Sequence, residues 1–156
     1  MMTILCSEVL DALREKSLTL VTAESLTGGG IGAALTGISG ASEVYKGGVI
    51  SYVDAVKHHV LGVPQKILDL YGAVSEQTAG SMASGVRKLL NADIAVSVTG
   101  LAGPGVDEFG HPVGTVYIGF DSNTKSTVKH FCFEGTREAV RNQTIQAALE
   151  LILENV

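Results

Sequence analysis

Three stretches of the sequence place chemically competent side chains where a packed fold ordinarily sets caps and turns. The first is Glu24-Ser25-Leu26-Thr27-Gly28-Gly29-Gly30, which follows an apolar run and precedes residues at helical spacing. A serine at that junction has backbone N–H groups around it, the arrangement an acyl-transfer nucleophile needs to stabilise an oxyanion. The second is Tyr52 with Lys57, where Lys57 falls in the first turn of a short predicted helix begun by Asp54. The macrodipole disfavours a cation there and burial would disfavour it further, so both push the amine toward a general base. A Ser–Lys pair is then available. The third is Ser97-Val-Thr99-Gly100-Leu-Ala-Gly103-Pro104-Gly105, a strand end opening into a glycine-rich loop whose N–H groups suit an anion such as phosphate. Arg137 and Arg141, four apart and so on one helix face, add cations at a helix start, where a bound anion would stabilise them.

Each stretch also has a plainer reading. Ser25 or Thr27 serves as a helix cap, and the surroundings are not a G-x-S-x-G elbow, because Ala23 and Thr27 hold the glycine positions. Gly28-x-Gly30-x-x-Ala33 fits a dinucleotide fingerprint with Asp54 about twenty residues on, yet four residues separate the strand from its first glycine. Lys57 can carry its head group to solvent on its long stem. Gly103-Pro104-Gly105 is a plain turn, and the two arginines can pair with Glu134 or Glu138. His58, His59, His111 and His130 show no ligand spacing with a carboxylate, so no metal is expected.

The elements that must position these residues follow from periodicity and punctuation. Leu5, Val9 and Leu13 mark an amphipathic helix over 4–16, and the β-branched run Leu18 to Ala23 a strand buried on both faces. A helix over 31–38 and a strand over 47–53 follow, then a short helix capped by Asp54 and another whose first turn holds Pro64. Ser75 caps a helix reaching Asn91, and Asp93 to Val98 is a strand that ends where the glycine-rich loop begins. Residues 113–120 and 127–133 form a hairpin around a loop of about five residues, and Thr136 caps the last helix. This order predicts a three-layer α/β/α sandwich with a mixed, mostly parallel sheet and a late antiparallel hairpin.

Composition narrows the function classes. At 156 residues the chain has room for one domain, expected to span 1–156. Hydrophobic residues make up 46% against 17% charged, with mean hydropathy +0.31, so the chain should bury a sizeable core. Eleven basic against sixteen acidic residues give a net charge of −5, which leaves no broad basic face for nucleic acid. No apolar stretch approaches the roughly twenty residues of a membrane helix. Glu8, Asp11, Arg14 and Glu15 interrupt any signal-peptide core. A cytoplasmic protein is expected, with Cys6 and Cys132 as buried free thiols.

Taken jointly, Thr22-Ala-Glu-Ser25-Leu-Thr-Gly-Gly29, Tyr52 with Lys57, Gly72-Ala-Val-Ser-Glu76, Ser97-Val-Thr-Gly-Leu-Ala-Gly-Pro104, Pro112-Val-Gly-Thr115 and Arg137-x-x-x-Arg141 resemble the CinA C-terminal domain family, the nicotinamide-nucleotide amidases. The resemblance covers nearly the whole chain. It implies a three-layer fold and deamidation of nicotinamide mononucleotide to nicotinate mononucleotide and ammonia, a step of pyridine-nucleotide salvage, without metal or organic cofactor. By the same resemblance the nucleophile falls on Ser25 and the assisting groups on Tyr52 and Lys57. Thr27, Gly28 and Gly29 would surround the oxyanion, and Thr99, Gly100, Gly103, Arg137 and Arg141 would contact a small-molecule nucleotide. The family often has Cys where this chain has Leu26, so no role is expected of that position. Relatives often carry a further N-terminal domain, and this chain is expected to be a stand-alone form and a homo-oligomer, by preference a dimer. The contrasting expectation is a non-catalytic nucleotide-binding or regulatory module of the same fold.

Overall fold

The computed structural model describes residues 1–156. Its centre is β1 (Leu20–Glu24), every residue of which is buried because helices cover both faces of the strand. Parallel to it on either side lie β2 (Tyr45–Ile50) and β3 (Ile94–Gly100), and β4 (Thr115–Ser122) and β5 (Ser126–Cys132) extend the sheet in antiparallel register to the order β2-β1-β3-β4-β5. Four of the five strands therefore run in one direction, with β4 against them. The sheet is mixed and mostly parallel, as its sequence pattern predicts.

Alternation along the strands sorts the core into two layers. Leu20, Ile94, Val96 and Val98 face α1 (Met2–Glu15), α2 (Gly30–Thr36) and α6 (Arg137–Asn155). Val21, Ala23 and Ala95 face the opposite layer, where Leu68 of α4 (Gln65–Tyr71) meets Met82, Ala83 and Val86 of α5 (Glu76–Leu89). From β1 the chain crosses through α2 to β2 on one side. It then returns through α3 (Asp54–His59), α4 and α5 to β3 on the other. The chain leaves the carboxyl end of β1 toward β2 and that of β3 toward β4, and in sheets of this kind a crevice opens between such diverging connections. Ser75 and Thr136 cap α5 and α6 as expected, each accepting at 3.1 Å from the N–H three residues on. No helix is long and apolar enough to cross a membrane.

Several boundaries differ from the pattern reading. Strand β3 does not stop at Val98 but continues through Thr99 and Gly100, which pair with Tyr117 and Val116. Glycine permits this, because a Cβ at Gly100 would stand 2.6 Å from the Thr115 carbonyl oxygen. The hairpin turn is three residues rather than about five. Asp121 and Ser126, read as loop for their polarity, stay in the ladder because Arg87 donates to Asp121 at 2.6 Å and Ser126 bonds the same carboxylate. Asp54 is the first residue of α3 rather than its cap; Val53 holds that position without a side-chain bond. Pro64 likewise precedes α4. Cys6 is a buried free thiol, and burial raises its pKa, but Cys132 lies exposed on the edge strand β5.

Candidate active site

Lys57 is among the largest fully buried side chains of the protein, with 1% of its surface accessible. It sits in a helix of only six residues, so it belongs to the last turn as much as the first and the macrodipole gives it little. Burial is what matters: desolvation lowers its pKa to about 8, against an opposing pull from nearby Asp54. Its Nζ donates to the Ser51 carbonyl at 2.7 Å, to the Tyr52 carbonyl at 3.3 Å and to Ser25 Oγ at 2.9 Å. Loss of one proton leaves two N–H bonds for the two carbonyls and a lone pair facing the serine hydroxyl. At pH 7 roughly one molecule in ten would hold that form, against well under 1% for an unperturbed lysine.

Ser25 is the first residue after β1, and its N–H prolongs the strand pairing by donating to the Val98 carbonyl at 3.1 Å. The chain then turns through Gly28 (φ +58°) and Gly29 (φ +97°), left-handed conformations that suit glycine. The Gly28 N–H donates to the Ser25 carbonyl, whereas those of Leu26 and Thr27 make no hydrogen bond within the chain. Behind the turn lies Glu24, buried at 2% exposure. Its carboxylate accepts from the Thr27 hydroxyl at 2.6 Å and the Ile31 N–H at 2.8 Å on one oxygen, and from the Gly32 N–H at 3.1 Å on the other. Three residues of the turn and of α2 are thus fixed to the strand end that carries the serine.

A cleft of about 310 Å³ opens in front of this pair. Ser25, Leu26, Tyr52 and Lys57 form one wall, and Thr99, Gly100, Gly103 and Arg137 another. Tyr52 is 58% exposed, and its hydroxyl accepts from Arg137 Nη2 at 3.0 Å instead of meeting Lys57. Arg137 also donates to the Gly103 carbonyl at 2.7 Å, so it ties the two walls together across the mouth. The Thr99 hydroxyl is held by the Ala73 carbonyl at 2.8 Å. Asp107, also in the cleft wall, pairs with the His111 ring at 2.6 Å. Burial pushes its carboxyl up, but hydrogen bonds from His111 and the Phe109 N–H together hold it below the usual carboxylate range.

The CinA C-terminal domain family matches residues 2–156. The chain belongs to this family. A competence-damage inducible protein of Bacillus subtilis is 44% identical over 151 residues, covering 97% of the chain and 36% of that relative. Its counterpart in Thermoanaerobacter pseudethanolicus is also 44% identical, over 92% of the chain and 35% of the relative. The chain thus spans about a third of the length of these curated relatives. Among solved structures, the competence damage-inducible protein A of Klebsiella pneumoniae superposes with a TM-score of 0.96 at 37% identity, covering 99% of this chain and 96% of that one. A CinA superfamily protein of Escherichia coli gives 0.98 at 32% identity, over 100% and 91% of the two chains.

Within this CinA-family domain the candidates divide. Ser25 and Lys57 come into contact, and Thr99, Gly100, Gly103 and Arg137 share their cleft with Tyr52. Thr27, Gly28 and Gly29 form the turn and Arg141 backs it, and the side chains of Thr27 and Arg141 point away from the cleft, toward Glu24 and the turn carbonyls. Arg141 points its guanidinium at the Leu26 and Thr27 carbonyls, at 2.9 and 3.2 Å, and neither arginine pairs with Glu134 or Glu138. Two residues carry weight that the sequence reading did not give them. Ser51 supplies the carbonyl nearest Lys57, a backbone role no residue type advertises. Glu24 was legible in principle, since a carboxylate closing a buried apolar strand demands internal donors.

Proposed function

We propose that the chain is an amidase that hydrolyses the carboxamide of nicotinamide mononucleotide, giving nicotinate mononucleotide and ammonia. The observation that carries this reading is the buried Lys57 amine 2.9 Å from Ser25 Oγ, a base and a nucleophile in hydrogen-bond contact at the wall of a cleft. Ser25 Oγ attacks the carboxamide carbon while its proton passes to Lys57. The negative charge gathers on the carboxamide oxygen, beside the unpartnered N–H groups of Leu26 and Thr27. Lys57 returns the proton to the departing nitrogen, ammonia leaves, and water then cleaves the acyl ester with Lys57 again taking a proton. Direct transfer is the shorter route, since the Tyr52 hydroxyl is held by Arg137 and only its carbonyl touches Lys57. Arg137 is the cation of the cleft wall and has donors to spare for the substrate phosphate.

The substrate rests on the family resemblance together with a cleft that joins a Ser–Lys pair to a cation. Ammonia release from nicotinamide mononucleotide, free nicotinamide, glutamine and NAD tests it. Turnover of the mononucleotide alone is expected, because remote phosphate and ribose contacts must orient the amide. Equal turnover of free nicotinamide would overturn the specificity. No ammonia from any of them would favour a binding or regulatory module.

A further inference from the structure

Glu24 and Arg141 reach the nucleophile turn from the strand and from α6, and neither is in an ion pair. Each is instead satisfied by the turn itself. Glu24 takes donors, the Thr27 hydroxyl and the first amides of α2, and Arg141 takes carbonyls, those of Leu26 and Thr27. A trans peptide is planar, so its C=O and N–H point in opposite directions. Fixing the Leu26 carbonyl on Arg141 therefore turns the Thr27 N–H away from α6. The bond from the Gly28 N–H to the Ser25 carbonyl sets the Leu26 N–H in the same manner. The turn leaves the Leu26, Thr27 and Gly29 amides without a partner; of these Leu26 and Thr27 stand nearest Ser25 in sequence, and Leu26 lines the cleft.

Resting on the Ser–Lys reading above, we propose that Glu24 and Arg141 are positioning residues that clamp the turn from both sides and hold the Leu26 and Thr27 amides as preformed oxyanion donors. Arg141 on this account contacts no substrate, in contrast to its neighbour Arg137 one helical turn away. The Arg141 guanidinium lies against the turn at Gly28, where a Cβ would stand 3.7 Å from it, at ordinary contact distance.

The test uses an alkyl fluorophosphonate, which reacts with activated serines and carries no nucleotide. In that reaction the Ser25 Oγ–phosphorus bond forms, the phosphorus–fluorine bond breaks, fluoride leaves and Lys57 takes the serine proton. Adduct formation is followed by mass spectrometry on the full chain, at a temperature where each variant's melting curve shows it folded. Absence of a Ser25 adduct in the wild type would sink the Ser–Lys reading, and this proposal with it. Given wild-type labelling, Arg141→Gln should label at least about tenfold more slowly, because the developing charge on phosphorus-bound oxygen loses its donors. An unchanged rate would overturn the clamp and return Arg141 to ligand contact. Thr27→Val keeps the volume and removes one bond to Glu24; a several-fold slower reaction is expected, with the acid limb of its pH profile where the wild type has it, since Lys57 is untouched. A rate equal to wild type, or a displaced limb, would overturn the proposal. With nicotinamide mononucleotide, Arg141→Gln should lower kcat and leave KM within about twofold, and a raised KM at unchanged kcat would count against it.

Discussion

Two glycine-rich segments leave the sheet side by side at the carboxyl ends of β1 and β3, and they are held in opposite ways. The turn after β1 is anchored by one buried and one half-buried charged group: Glu24 takes its hydroxyl, Arg141 its carbonyls, and Thr27 keeps 1% of its surface accessible. The loop after β3 runs outward and leaves Val106 at 68% and Phe109 at 41% exposure. It is tied down at Gly103 by Arg137 and at Asp107 by His111, both near the surface. Oxyanion stabilisation requires donors already aimed before the charge appears, whereas recognition tolerates adjustment as the ligand arrives. The segment carrying the proposed nucleophile is accordingly the one whose geometry is over-determined.

The contrast breaks most visibly at the chemistry itself. Ser25→Ala should lower ammonia release by at least about a thousandfold with little change in melting temperature. A merely capping serine would instead cost roughly 0.5–2 kcal/mol of stability and leave the rate near normal. Glu24→Ala should act on the fold. It strands the Thr27 hydroxyl and the Ile31 and Gly32 amides, and at about 1–3 kcal/mol for each unsatisfied buried group the loss is on the order of 3 kcal/mol or more by denaturant unfolding.

The next effect is a pH dependence. The rate should climb about tenfold per pH unit on the acid side and level off above about 8, where Lys57 becomes neutral. Lys57→Arg stays protonated and should be as inactive as Lys57→Ala; an active arginine variant would end the general-base reading. Stability carries the same signature. The folded pKa lies below the unfolded one, so the unfolded chain binds more protons between about 8 and 10.5. Wild type should therefore gain stability relative to Lys57→Met as pH rises through that window.

Across the cleft the expected changes shrink. Arg137→Ala should raise KM for nicotinamide mononucleotide about tenfold with a smaller change in kcat and no loss of melting temperature, because its bonds lie near the surface. Steady-state kinetics separates this from the kcat loss expected of the clamp. Smallest of all, Gly105→Ala in the outer loop meets nothing within 4 Å and should stay within about 0.5 kcal/mol of wild type. A large destabilisation there would show that the loop after β3 is as firmly built as the turn after β1.

By itself the sequence determined the strands and helices, because apolar periodicity reports burial wherever a strand or helix faces a core. Both faces of β1, the caps at Ser75 and Thr136 and the mixed, mostly parallel sheet were legible in this way, whereas the strand order that brings Ser25 near Thr99 was not. Periodicity misplaced the ends of β3 and of the hairpin, where glycine and paired polar residues continue a ladder that composition reads as loop. Among the site residues, their types and joint motif singled out Ser25, Tyr52 and Lys57. What only the tertiary structure decided was which groups face which. Lys57 loses its solvent and meets Ser25, Tyr52 turns its hydroxyl to Arg137, and Arg141 grips the nucleophile turn although it shares a helix face with Arg137. Desolvation and the direction of a hydrogen bond depend on all the elements packed around a side chain. In this fold those elements come from residues more than thirty, and for Arg141 more than a hundred, positions away.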